Sequence, residues 1–137
     1  MILVIALPDL ALRLSNIVSG ARYLVSVDDG RSLRHQVHRH QPAIVLLDWR
    51  MGGNAWRAVD EISALVTRTA SMPSVIALLP WVSDDVQEAA AEIGCFDVIS
   101  VTASHFARDV LATIQAARED RLQRLVEVPR VSRGDLH

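Results

Sequence analysis

The stretch PAIVLLDWRMGGNAW, Pro42 to Trp56, carries five apolar residues into one carboxylate, Asp48, and then breaks into glycines. An acid at the end of a buried strand either serves chemistry at a sheet edge or remains from chemistry that has been lost. Few other groups could share the work. His35 and His38 stand at i, i+3 on a helical segment and could offer two metal ligands. No third ligand accompanies them, and Arg34 and Arg39 would repel a cation, so a solvated helix face is the expectation. Cys95 follows Gly94, a helix stop, and reads as a packed small side chain rather than a reactive thiol. All 14 cationic side chains are arginine, which removes any catalytic or Schiff-base lysine. With no nucleophile beside a base, no glycine loop for phosphate and no metal cluster, an enzyme is the weakest reading.

The composition sets the frame in which Asp48 must sit. At 137 residues and 50% apolar, the chain suits one domain with one continuous core. Its formal charge of −2, from 14 basic and 16 acidic residues, supplies no net positive field to draw nucleic acid or an anionic membrane. A single cysteine excludes an internal disulfide and a thiolate metal site, which fits a reducing compartment, with the cytoplasm as the expectation. The opening MILVIALPDL has no basic segment before it, and Pro8 and Asp9 end it too early for a secretory signal or a membrane span. It reads as a strand.

Five apolar runs of strand length recur: ILVIAL (2–7), YLVSV (23–27), AIVLLD (43–48), SVIALL (74–79) and DVISV (97–101). Three are nearly continuous in Val, Ile and Leu, as parallel strands covered on both faces require. Helical spacing fills the intervals. Asp9 to Ser19 places Leu10, Leu14, Ile17 and Val18 on one side before Gly20, with Asp9 as the cap. Asp28, Asp29 and Gly30 form a polar turn before a second helix, Arg31 to His40, carrying Leu33 and Val37. Val59, Ile62, Leu65 and Val66 mark a third, and Ser83 caps a fourth through Val86, Ala90 and Ile93 to Gly94. Thr102 or Ser104 starts a fifth, with Phe106, Val110, Leu111 and Ile114 facing inward. This (βα)5 pattern predicts right-handed crossovers, a parallel sheet, and a site at the carboxyl ends of its strands, where Asp48 lies. The fifth helix continues through QAAREDRLQRL, so that Leu122 and Leu125 project from the domain, and the tail VEVPRVSRGDLH should be irregular.

The order and lengths of these elements, with IVLLDWRMGG and the GCFDVIS run before the fifth strand, resemble the receiver domain of bacterial two-component response regulators. The likeness spans Ile2 to Ala117. It implies a CheY-like, flavodoxin-like doubly wound fold with strand order 2-1-3-4-5, a receiver-like domain over 1–117, and a helical extension with an irregular tail over 118–137. It also places Asp48 at the position that accepts a phosphoryl group from a histidine kinase. Such transfer needs a divalent cation to offset phosphoryl charge. The acidic pair that holds the cation is replaced by Ala6 and Leu7, leaving Asp9 as the only nearby acid. Leu79 stands at the hydroxyl position, Val101 at the lysine position, with Thr102 where a proline usually follows, and Val98 at the aromatic switch. The resemblance is therefore to a degenerate pseudo-receiver with no catalytic residue, no metal and no cofactor, and Mg²⁺ is not expected to bind.

Three readings of function follow. The first is a signalling module that binds a protein partner, a signalling protein or an effector domain, without phosphorylation. The second is a working phosphoacceptor modified at Asp48. The third is a small-molecule sensor built around Trp49, Trp56 and Trp81, which lie in or beside loops at the carboxyl edge. Those rings are expected to plug the emptied acidic pocket, the alternative being an aromatic anchor for a partner or ligand. A pocket filled by Trp or Leu marks the first reading, and an open acidic cleft the second. Leu111, Ile114, Leu122 and Leu125 repeat at an eleven-residue step near one helical stripe, which predicts a homodimer through the fifth helix. Arg118 and Arg121 could there meet Glu119 or Asp120 of the other chain. Neither nucleic acid nor membrane is expected to bind this domain alone.

Overall fold

A computed structural model of the chain describes residues 1–23, 25–28, 39, 41–51, 73–92 and 94–135. The apolar runs form β1 (Ile2–Ile5), β2 (Val25–Asp28), β3 (Ile44–Asp48), β4 (Ser74–Leu79) and β5 (Asp97–Ser100). The described helices are α1 (Pro8–Gly20), α2 (Asp84–Glu92) and α3 (Phe106–Asp135), the first, fourth and fifth of the sequence pattern. The helices expected over 31–40 and from Val59 to Val66 lie outside the described residues, as do Asp29 and Gly30.

All strand pairs are parallel, as the pattern predicts, in the order β2-β1-β3-β4-β5 that the resemblance implies. The chain leaves β1 for one neighbour, β2, and returns across it to the other, β3. Such a reversal opens a crevice at the carboxyl ends of β1 and β3, where α/β proteins hold their ligands. Leu7 and Asp48 flank it.

Burial of the strands explains their continuous apolar character. Val4, Leu46, Ile76 and Leu78 face α1 and α3 and join Leu10, Leu14, Val18, Phe106, Val110 and Ile114 in one cluster. Leu3, Ile5, Val45, Leu47, Val75 and Ala77, on the opposite face, are fully buried as well. Each such Val, Leu, Ile or Phe side chain contributes roughly 1.5–3 kcal/mol by leaving water. Arg13 ties the two helices on the first face together, its guanidinium 4.4 Å from the Phe106 ring centroid.

Helix boundaries follow local chemistry in some places and depart from expectation in others. Ser83 Oγ accepts the Val86 N–H at 3.3 Å, and Asp84 and Asp85 favour the positive end of α2. The long bond places Ser83→Ala at the low end for a cap, about 0.5 kcal/mol by urea unfolding. Gly94 takes φ 100°, the left-handed conformation that ends a helix. Asp9 is not a cap: Leu7 occupies that position with no side-chain bond, and the Asp9 carboxylate turns elsewhere. Thr102 does not start α3 either, because its hydroxyl donates to the Pro80 carbonyl at 2.7 Å.

The largest departure is α3, which continues to Asp135 where an irregular tail was expected. Pro129 removes one backbone donor from a helix interior, but the flanking turns keep the helix going. Along α3, Ile114 is fully buried, Leu111 half-buried and Leu122 61% exposed, so the helix leaves the sheet between them. The side chain of Leu125 lies outside the described residues. Arg118, expected to face another chain, instead bonds the Tyr23 hydroxyl at 3.3 Å and covers its ring, because that π-face is the neighbour its own fold supplies.

Candidate functional site

Asp48 closes β3 and is 1% exposed. A carboxylate so placed needs donors, and two come from the backbone: Leu7 N–H to Oδ2 at 3.1 Å and Arg50 N–H to Oδ1 at 2.9 Å. The chain then makes one 3-10 turn, Trp49–Met51, which folds the side chain of Arg50 back over the acid. Its Nε lies 3.2 Å from each Asp48 oxygen, and its Nη2 donates to Oδ2 at 2.9 Å.

The outer edge of the same guanidinium is also occupied. Nη1 donates to Asp9 Oδ2 at 3.1 Å and Nη2 to Asp9 Oδ1 at 2.9 Å. Asp9 belongs to the first turn of α1 and is 71% exposed, while the Arg50 side chain is 35% exposed. Arg50 thus bridges a buried carboxylate and a surface one, using the planar fork that suits a guanidinium to this geometry.

The electrostatics follow from that bridge. The Arg50 hydrogen bond, and after it the Leu10 N–H, hold the Asp9 carboxyl below its ordinary range. Arg50 is raised above its already high value by its bonds to Asp9 and then to Asp48. Because the Asp9 value is depressed on folding, its contribution to stability is present above the ordinary carboxylate range and is lost as pH falls.

The resemblance to receiver domains implies a divalent cation at this place, and the residues present do not fit one. All four oxygens of Asp9 and Asp48 already accept hydrogen bonds from Arg50. Ala6 is buried and Leu7 exposed, and neither offers a side-chain oxygen. Among the described residues no group of three or more His, Cys, Asp or Glu is placed to hold a metal.

The remaining positions are apolar or otherwise engaged. Leu79 is buried, and Val98 and Val101 are half-buried. The Val101 N–H donates to the Leu79 carbonyl at 2.8 Å, joining the ends of β4 and β5. Ser100 Oγ and Thr102 Oγ1 lie 3.2 and 2.7 Å from the Pro80 carbonyl, pinning the segment that leads to Trp81. Trp81 does not plug the pocket, since it is 72% exposed. Trp49 is half-buried, and Trp56 lies outside the described residues, as do His35 and His38. Trp81→Ala should accordingly shift unfolding stability by no more than about 0.5 kcal/mol, whereas removing a ring that filled a core would cost about 3–5 kcal/mol. Burial pushes the Cys95 thiol up to about 11, which keeps it protonated and unreactive near neutrality.

The residue that sequence reasoning missed is Arg50. Its signal was its spacing: an arginine two positions after a buried acid, in a chain that lacks lysine at the expected place.

No sequence-family profile matches the chain, and no curated protein matches it. Solved structures do. A signal receiver domain ascribed to a Luxo repressor protein from Vibrio parahaemolyticus superposes with TM-score 0.72 at 20% identity, over 92% of this chain and 95% of that one. The BeF3-activated N-terminal receiver domain of RstA from Klebsiella pneumoniae gives 0.70 at 19%, over 85% and 95%. The chemotaxis protein CheY4 of Vibrio cholerae gives 0.69 at 16%, over 85% and 98%. The fold is that of response-regulator receiver domains. No helix among the described residues is long and apolar enough to cross a membrane.

Proposed function

We propose that this chain is an atypical receiver domain that signals by binding protein, independently of phosphorylation, and that it is not an enzyme. One observation carries the reading: Asp48, at the acceptor position, is buried and covered on both oxygens by Arg50 and two backbone N–H groups. An incoming phosphoryl group would meet a carboxylate already paired with a tethered cation, in a chain without lysine and with Leu79 at the hydroxyl position. The partner is a signalling protein or an effector domain in the cytoplasm. A second copy of the chain is the simplest one.

Self-association rests on α3. Beyond the sheet its helix keeps going, and Leu122 is exposed there. An isolated helical overhang is marginal in water, so a packed neighbour accounts best for its persistence. Sedimentation velocity is the test. A homodimer is expected at micromolar concentration, unchanged by acetyl phosphate with Mg²⁺. Leu122→Glu with Leu125→Glu should shift it to monomer with the circular dichroism spectrum retained. A wild type that stays monomeric at high micromolar concentration, or dimerises only with acetyl phosphate, would overturn the proposal.

A further inference from the structure

We infer that Arg50 is the resident cation of the site: its guanidinium stands where a divalent ion would stand, between Asp48 and Asp9, and excludes such ions. The inference deepens the preceding reading by saying what holds the acceptor position closed. The ion excluded is a hard, oxygen-seeking one of the Mg²⁺ and Mn²⁺ kind.

The geometry supports this in three steps. Nη2 alone contacts an oxygen of each carboxylate, at 2.9 Å in both cases, so these oxygens lie no farther apart than the two bonds together. An ion with bonds of about 2.1 Å needs them within about 4.2 Å. Asp9 can close the difference, because it is 71% exposed on the first turn of α1. Asp48 meanwhile is held from behind by the Leu7 and Arg50 backbone N–H groups, which remain when the arginine side chain is removed.

Charge decides the competition. With Arg50 in place, the two carboxylates and the guanidinium carry one net negative charge, and every oxygen has a donor. A divalent ion would neutralise both acids fully, but only after the guanidinium has left. That guanidinium is covalently tethered, so it returns at a high effective concentration and the free ion loses. The chain has no lysine, so no side-chain ammonium can take over the role.

The test uses Mn²⁺, read by water-proton relaxation and by thermal melting, on the wild type, Arg50→Ala, Arg50→Met and Arg50→Ala with Asp48→Asn. Arg50→Ala should bind Mn²⁺ at least tenfold more tightly than the wild type and gain melting temperature with it, while the wild type gains none. Asp48→Asn in that background should abolish the gain, and millimolar methylguanidinium should compete with the ion. Should Arg50→Ala be unfolded alone, Mn²⁺ should fold it by mass action, and Arg50→Met should show the same preference. Binding no tighter than the wild type, binding that survives Asp48→Asn, or failure of both variants to fold even with Mn²⁺ would overturn the inference. None of these outcomes bears on whether the wild type dimerises without phosphorylation.

Discussion

Arg50→Ala is expected to cost about 3 kcal/mol of folding stability, lowering the melting temperature by roughly 6–12 °C for a chain of this size. The variant removes the guanidinium partner of a carboxylate that is 1% exposed in the wild type. Breaking a buried pair from one side costs more than the pair was worth, because the remaining charge keeps its desolvation penalty. The lower end of the usual range applies, since Leu7 and residue 50 still donate two backbone N–H bonds and Arg50 is itself partly solvated. Two comparisons isolate the cause. Asp48→Asn in the Arg50→Ala background should recover much of the loss, giving a clear coupling in a double-mutant cycle. Asp9→Asn alone should cost far less, because its exposed carboxylate needs no partner to stay hydrated. Urea unfolding of the wild type, Arg50→Ala, Asp48→Asn, the double variant and Asp9→Asn reads all of these effects.

The sheet was legible in the sequence because its three central strands, β1, β3 and β4, are buried on both faces. A run such as AIVLL admits no solvent face, and three such runs, with two shorter ones and helical spacing between them, leave little choice beyond a parallel sheet. The position of Asp48 at the end of β3 was legible for the same reason, and so was the placing of the apolar residues Ala6, Leu7, Leu79 and Val101 at or beside strand ends. What was not legible is direction within loops. Arg50 meets Asp48 only because a single 3-10 turn reverses the chain, and it meets Asp9, 41 positions away, only because β1 and β3 are neighbours. Trp81 points outward rather than into the pocket, at the end of a segment anchored by hydroxyls on β5 and just beyond it. Helix termini failed similarly: Pro129 suggested an end to α3, and the surrounding helical register outweighed it.

The second large effect is an absence of reaction. Transfer of a phosphoryl group to Asp48 requires an in-line approach to one of its oxygens and a cation to offset three phosphoryl oxygens. Here both oxygens are covered by Arg50, and among the described residues the only cation in contact with them is already bound to two acids. Beryllofluoride, which mimics the phosphoryl group, should fail to bind for the same reasons. The most direct measurement is the intact mass of the wild-type protein after prolonged incubation with acetyl phosphate and Mg²⁺. A mass unchanged from the starting protein is the predicted result. A stoichiometric gain of one phosphoryl group, lost in Asp48→Asn, would contradict the account and show that Arg50 opens the site rather than closing it.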